Sequence, residues 1–152
     1  MSVNNLLLSQ VDDMLSAWRQ ANLPKAPPIG WSSSIRRALG MTTVALADRL
    51  SMTPAGVRKL EMAESDRAIT LASLDKLAQA LGCEVRYALV PRKPLAEMML
   101  DQAKHKVAEE SASVWRTMEL EDQSVAPDRR KHQIDIQAQE LLAGSLRNLW
   151  RR

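Results

Sequence analysis

The stretch that decides the fold is residues 43–61, TVALADRLSMTPAGVRKLE. Apolar residues recur at helical spacing on both sides of a tight turn at Ser51-Met52, which predicts two short helices. Thr53 can cap the second helix, and Pro54 suits its first position, where a missing N–H costs nothing. We expect the helices to cross at the small Ala47. The predicted buried positions are Leu46, Leu50, Val57 and Leu60.

Two short helices joined by a tight turn predict a helix-turn-helix, in which the second helix enters the major groove of DNA by its N-terminal end. Small residues there allow close approach of the backbone, while Arg58 and Lys59 can reach base edges or phosphates. A hairpin used only for packing is the alternative, and two consecutive cations disfavour it. The candidate DNA-binding residues are Thr42, Thr43, Thr53, Pro54, Ala55, Gly56, Arg58 and Lys59.

Composition removes most enzyme classes. The 152 residues are 45% hydrophobic but only 3% aromatic, which favours a helical core over a β-rich one. Two His and one Cys exclude a Cys/His zinc site and an internal disulfide. The sequence has no phosphate-binding glycine loop, no apolar run of membrane-spanning length and no signal-peptide pattern. We therefore expect a soluble cytoplasmic protein that is not an enzyme and has no cofactor, metal or membrane partner.

Charge is unevenly distributed along the chain. Residues 31–93 contain ten Lys or Arg against six Asp or Glu, whereas residues 94–152 contain nine against ten. A basic surplus confined to the predicted helix-turn-helix segment suits a polyanion such as double-stranded DNA. An ordinary solvated surface is the alternative.

The sequence predicts a mainly α-helical chain in four parts. Residues 1–22 form an N-terminal helical arm, with its helix over 5–19, and residues 23–30 form a Pro-rich linker. Residues 31–93 form the DNA-binding domain, which contains a strand over 84–90. Residues 94–152 form a C-terminal helical region, with helices over about 94–120 and 129–150.

The predicted strand carries a prediction about assembly. Alternation places Cys83, Val85, Tyr87 and Leu89 on one face, and no second strand is evident in the sequence. A lone strand leaves its backbone groups unpaired, so we expect it to pair with the same strand of a second copy. The resulting ribbon would make a homodimer whose recognition helices lie roughly 34 Å apart, matching a palindromic operator. The predicted dimer strand comprises Val85, Arg86, Tyr87, Ala88 and Leu89.

Residues 31–90 resemble the phage-repressor-type (Xre/Cro-like) helix-turn-helix domain. Glu61 stands where that family usually has an acid. The sequence departs from the family at Thr43 and Pro54, where Gln is common, and at Ser51, where Gly is common. Those Gln side chains often contact phosphate and base, so the departures imply less direct base reading by the second helix.

The resemblance is closer to one branch, the proteins called mobile mystery protein A. Members of that branch are encoded beside a Fic-domain protein, an enzyme class that transfers AMP from ATP to hydroxyl groups. The resemblance implies the antitoxin of a toxin–antitoxin pair, which autoregulates its operon and inhibits the Fic-domain toxin. The residues that carry this resemblance are Gly30-Trp31, Ile35-Arg36, residues 38–41, Leu60-Glu61, Glu64, residues 69–71, 80–81, 83–84 and 87–91, Met118 and residues 120–123.

Two hypotheses therefore stay open for the C-terminal helices. In the first, the protein is a plain transcription regulator whose extra helices serve only dimerisation. In the second, an inhibitory helix similar to those of Fic inhibitors places a Glu on the Arg that would hold the ATP γ-phosphate. Its pattern of Ser or Thr, three residues and Glu is matched by Thr117 and Glu121, although Asp122 replaces the usual Gly or Asn. The alternative is that these residues form an acidic helix end with no inhibitory role.

Overall fold

The computed structural model describes residues 3–121 and 125–151, which contain α-helices and one short 3-10 helix but no β-strand. None of the described helices is both long and apolar enough to cross a lipid bilayer. The helices are α1 (Val3–Gln20), α2 (Trp31–Ala38), α3 (Thr43–Leu50), α4 (Pro54–Ser65), α5 (Leu71–Ala80), α6 (Leu95–Leu120) and α7 (Pro127–Ala143), followed by the 3-10 helix Leu146–Asn148.

The chain divides into two compact units. The central unit is Asn22–Ala88 and contains α2 to α5. The terminal unit combines Met1–Ala21 with Leu89–Arg152 and contains α1, α6, α7 and the 3-10 helix. Each unit has its own cluster of buried apolar side chains.

Helices α3, α4 and α5 surround the core of the central unit. Leu46, Val57 and Leu77 are completely buried, and Ala47 is buried beside them. Leu50 and Leu60 are half-buried and pack against this cluster. Leu46 and Val57 are therefore buried as predicted, whereas Leu50 and Leu60, also predicted to be buried, lie at the edge of the cluster.

Local capping sets the helix starts in the central unit. The hydroxyl oxygens of Thr42, Thr53 and Thr70 accept hydrogen bonds from backbone N–H groups three residues later, each at 3.1 Å. Pro54 occupies the first turn of α4, as predicted. Each cap satisfies a donor that the first turn of a helix leaves without a partner, a contribution of about 1 kcal/mol.

The predicted strand over 84–90 is wrong. Residues 83–90 are irregular, and none of the described residues forms a ladder with them. The alternating pattern does not mark a buried face either, because Tyr87 is 68% exposed and Leu89 is 87% exposed. A strand needs a partner for its N–H and C=O groups. Alternation alone is therefore not enough to form a strand at Val85, Arg86, Tyr87, Ala88 and Leu89. The predicted intermolecular ribbon required this strand, so it is wrong as well.

The terminal unit is built on the packing of α6 against α7. Ala103, Ala138 and Leu149 are completely buried between its elements. The sequence predicts a last helix that continues to residue 150, but α7 ends at Ala143. Beyond Gly144 the chain turns, so that Leu149 enters the core while Trp150 stays 60% exposed. The Gln102 side chain donates a hydrogen bond of 3.0 Å to the Leu149 carbonyl, which holds this turn against α6.

Asp12 of helix α1 caps the N-terminus of α6, which has no local side-chain cap. Pro94 at the start of α6 has no side chain that can accept a hydrogen bond. Both carboxylate oxygens of Asp12 instead accept from the Leu95 N–H, each at 3.1 Å. Asp12 also pairs with Arg19 at 3.3 Å. A carboxylate at a helix N-terminus is favoured by the helix dipole, so this contact ties α1 to α6.

Candidate nucleic-acid interface

The turn between α3 and α4 has the geometry of a helix-turn-helix connection. Ser51 ends α3 in the left-handed conformation, with φ at +53°. The Ser51 N–H donates to the Asp48 carbonyl at 3.3 Å, and the Met52 N–H donates to the Ala47 carbonyl at 3.0 Å. These bonds close the last turn of α3 and direct the chain immediately into the Thr53 cap of α4.

The N-terminal half of α4 presents small residues and cations to solvent. Ala55, Arg58 and Lys59 are exposed, and Pro54 and Gly56 are half-buried. Val57 lies between them in sequence but points into the core with no exposure. One face of α4 therefore packs while the neighbouring face is available to a ligand, and that available face includes both predicted cations.

The N-terminal end of α3 contributes the other predicted residues. Thr42 is exposed and caps α3, so its hydroxyl oxygen is already engaged by the Ala45 N–H. Thr43 is half-buried in the first turn and is not the cap. Helix N-termini carry partial positive charge and unpaired N–H groups, which suit a phosphate oxygen. Because α3 and α4 pack together, the chain offers two such termini in one motif.

A buried ion pair connects α2 to α4 behind this surface. Arg36 Nε lies 2.6 Å from Glu61 Oε1, and Arg36 Nη2 lies 3.1 Å from Glu61 Oε2. Arg36 Nη1 also donates to the Met41 carbonyl at 3.0 Å. The two side chains are only 10% and 9% exposed. The hydrogen bond that Arg36 donates to Glu61 raises the pKa of Arg36, because the carboxylate stabilises the charged guanidinium.

Sequence reasoning did not pair Arg36 with Glu61, although both residues belong to the family resemblance. The signal is a charged residue at an inward position of each helix: Arg36 follows Ile35 on the packed side of α2, and Glu61 follows Leu60. A charge at such a position is rarely buried without a partner. Searching for two opposite charges at inward positions would have found this pair.

The remaining predicted site residues lie elsewhere. Val85, Arg86, Tyr87 and Ala88 lie in the irregular segment that ends the central unit, and Leu89 begins the terminal unit. Thr117 and Glu121 are exposed at the C-terminal end of α6, where the Thr117 hydroxyl donates to the Ser113 carbonyl at 3.0 Å. Asp122 and Gln123, which complete the family pattern, lie outside the described residues. Within the described part of the chain, no group of three His, Cys, Asp or Glu side chains is placed to hold a metal ion.

Comparison with known families identifies the central segment. A helix-turn-helix family model matches residues 33–87, so this segment is an Xre-like helix-turn-helix domain, the fold of DNA-binding transcription regulators. No curated protein and no solved structure matches the chain.

Proposed function

We propose that this protein is a transcriptional repressor that reads a specific operator with the N-terminal half of α4. The observation that carries the proposal is the exposed pair Arg58 and Lys59 beside the buried Val57, within the segment that matches the helix-turn-helix family. The packed face fixes the helix to the domain, and the cationic face is left for the DNA.

The roles of the two cations follow from their side chains. Arg58 carries a planar guanidinium that can donate two parallel hydrogen bonds to guanine O6 and N7. Lys59 is a compact point charge, which suits a phosphate. Ala55 and Gly56 keep the surface of the first turn low, so the backbone can approach the groove. The termini of α3 and α4 then direct N–H groups at the flanking phosphates.

Binding measurements on single variants test this proposal. The wild-type chain selects its site from a pool of random duplexes, and dissociation constants are then measured at one fixed salt concentration. Arg58→Ala and Lys59→Ala should each weaken binding by about 1–3 kcal/mol, and wild-type affinity should fall steeply as salt rises. Arg86→Ala is the control, because it removes the same charge in the same unit from a local pair with Glu84. Wild-type affinity in both variants would refute the assignment of α4.

Two copies of the chain acting on a palindrome are part of the proposal. One short helix start presents few side chains to the bases, so a single domain reads only a short half-site. A homodimer doubles the contacts and imposes a half-site spacing near one or more helical turns of DNA, about 34 Å each. Sedimentation at tens of micromolar with and without the selected duplex tests this directly. A monomer that binds one half-site as tightly as the full site would exclude it.

The resemblance to the mobile mystery protein A branch supports a more specific role as an antitoxin that autoregulates its operon and inhibits a Fic-domain AMP-transferase. Thr117 and Glu121 are the candidate inhibitory residues, and both are exposed at the end of α6. A carboxylate at that position is accessible to an arginine of a partner. The proposal requires this carboxylate to occupy the site that would hold the ATP γ-phosphate.

Co-expression with a Fic-domain partner tests the inhibitory role. Glu121→Gln should release AMP transfer, whereas Glu110→Gln, which removes the same charge from an exposed residue on the same helix, should not. If both variants suppress AMP transfer as well as the wild type does, Glu121 has no inhibitory role. If the wild type also fails to bind the partner, the plain regulator is the correct function, with the terminal helices serving dimerisation.

A further inference from the structure

We infer that Glu64 is a positioning residue for DNA reading: from the last turn of α4 it caps the N-terminus of α2 and so fixes the orientation of the recognition helix. This inference rests on the proposed DNA-binding function. Glu64 lies on the last turn of α4, away from Arg58 and Lys59, and acts through another helix.

The cap consists of three hydrogen bonds to one carboxylate. Glu64 Oε1 accepts from the Trp31 N–H at 2.6 Å, and Glu64 Oε2 accepts from the Ser32 N–H at 3.0 Å. The Ser32 hydroxyl donates to the same Oε2. Gly30, at the N-cap position of α2, has no side chain that could do this work. The Glu64 carboxylate therefore replaces the missing local cap and meets the positive end of the α2 dipole.

Gly30 shows that the backbone is built around this contact. Its φ is +83°, a conformation that side chains with a Cβ rarely adopt. A Cβ added there would lie 2.9 Å from Glu64 Cδ, which is closer than real Cβ contacts come. The left-handed backbone favours glycine, and a Cβ at this position would also displace the Glu64 carboxylate from the cap.

Two carboxylates on α4 thus bind α2 from one face. Glu61 holds Arg36, and Glu64, three residues later, holds the first turn of the same helix. Residues three apart lie on the same side of a helix, so the two contacts act together. Apolar packing through Val57 is non-directional, whereas these hydrogen bonds are directional. They therefore set the rotation of α4 about its axis.

That rotation decides which atoms reach the DNA. Side chains that recognise a ligand must be held within roughly 0.5 Å and 10–20° of their working geometry. Arg58 and Lys59 are attached to the half of α4 that has no such polar ties to α2, and their aim depends on the ties at the other half. Loss of the Glu64 cap should weaken binding to the specific site more than binding to arbitrary DNA.

The experiment measures, in the full chain, the affinity for the specific duplex divided by the affinity for an unrelated duplex. Dissociation constants are determined for the duplex that the wild type selects from a random pool and for an unrelated duplex of equal length, at the same salt. Glu64→Ala should lower the ratio about tenfold, without weakening non-specific binding, because it removes a negative charge. Glu64→Gln keeps one acceptor oxygen and should recover part of the ratio. The control is Glu84→Ala, the same charge change at a carboxylate that is 72% exposed.

A double-mutant cycle tests the route through α2. Gly30→Ala should lower the ratio in the wild-type background, and the part caused by the clash with Glu64 should vanish in Glu64→Ala. Strictly additive effects would overturn the inference. So would a wild-type ratio in folded Glu64→Ala, or an equal loss in Glu84→Ala. If Glu64→Ala does not fold, the ratio measured for Glu64→Gln decides in the same way.

The outcomes separate this inference from the function on which it rests. If the wild type selects no duplex, or if Arg58→Ala and Lys59→Ala bind like the wild type, the proposed function itself fails. If those variants lose binding while the Glu64 variants keep the wild-type ratio, the function stands and only the positioning role is refuted.

Discussion

Replacing Glu61 by Ala leaves the Arg36 guanidinium buried without its anion. Two hydrogen bonds disappear, of 2.6 Å and 3.1 Å, and only the bond from Arg36 to the Met41 carbonyl survives. Because the two side chains are only 10% and 9% exposed, bulk water solvates the guanidinium poorly once the carboxylate is lost. Removing one partner of a buried pair costs about 3–5 kcal/mol. We expect Glu61→Ala to lower the free energy of unfolding of the central unit by that amount.

The double variant Arg36→Met with Glu61→Leu separates the charge effect from packing. It removes both charges and keeps similar volumes, so it should unfold within about 1–2 kcal/mol of the wild type. Urea titrations followed by circular dichroism give the free energies, and hydrogen exchange at the Leu46 and Leu77 amides assigns the loss to the central unit. A loss below about 1 kcal/mol in Glu61→Ala, or a double variant as unstable as the single, would refute the reasoning.

The sign of the pH dependence follows from the raised pKa of Arg36, whose main cause is the hydrogen bond that Arg36 donates to Glu61. A group with a raised folded-state pKa contributes stability that is complete below its unfolded pKa and is lost as pH rises through the folded value. For arginine both values lie far above neutrality. The difference between wild type and Glu61→Ala should therefore stay constant between about pH 7 and pH 10. A decline in that range would contradict an arginine–carboxylate pair.

Three further predictions concern single contacts. Ser51→Gly should raise the free energy of unfolding by about 1 kcal/mol in a urea titration, because Ser51 holds a φ of +53° that glycine adopts freely; a loss would contradict this. Asp12→Ala should destabilise the docking of α1 by about 1 kcal/mol and speed exchange of the Leu95 amide, whose cap it removes; unchanged exchange would refute the cap. An NMR titration should place the pKa of Asp135 below its usual value because of its hydrogen bond with Lys104, and Lys104→Met should return it; the stability from this pair is present above the usual carboxyl pKa and lost as pH falls.

The sequence alone determined the features that depend on neighbours within one helical turn. The Thr53 cap, the position of Pro54 and the inward phase of Val57 each involve partners that the linear order places close together. Such interactions have nearly the same geometry in any fold that contains the helix. The helix-turn-helix motif could therefore be predicted from residues 43–61.

Local pattern failed where the deciding partner was remote or absent. The alternation over 83–90 had the correct local character for a strand, but no described segment completes a ladder with it. The apolar spacing up to Trp150 predicted that the last helix continues to that residue. In the structure the chain leaves α7 at Gly144, and Leu149 is buried by turning back. Periodicity reports which residues prefer burial, and it does not report which surface buries them.

Only the tertiary structure decided how the recognition helix is held. Arg36 and Glu61 are 25 residues apart, and Ser32 and Glu64 are 32 apart. Whether a charged side chain meets its partner at such separations depends on the packing of the helices between them, because a hydrogen bond forms only within about 3 Å and over a narrow range of angles. The candidate DNA-binding residues were therefore visible in the sequence, and the contacts that hold α2 against α4 were not.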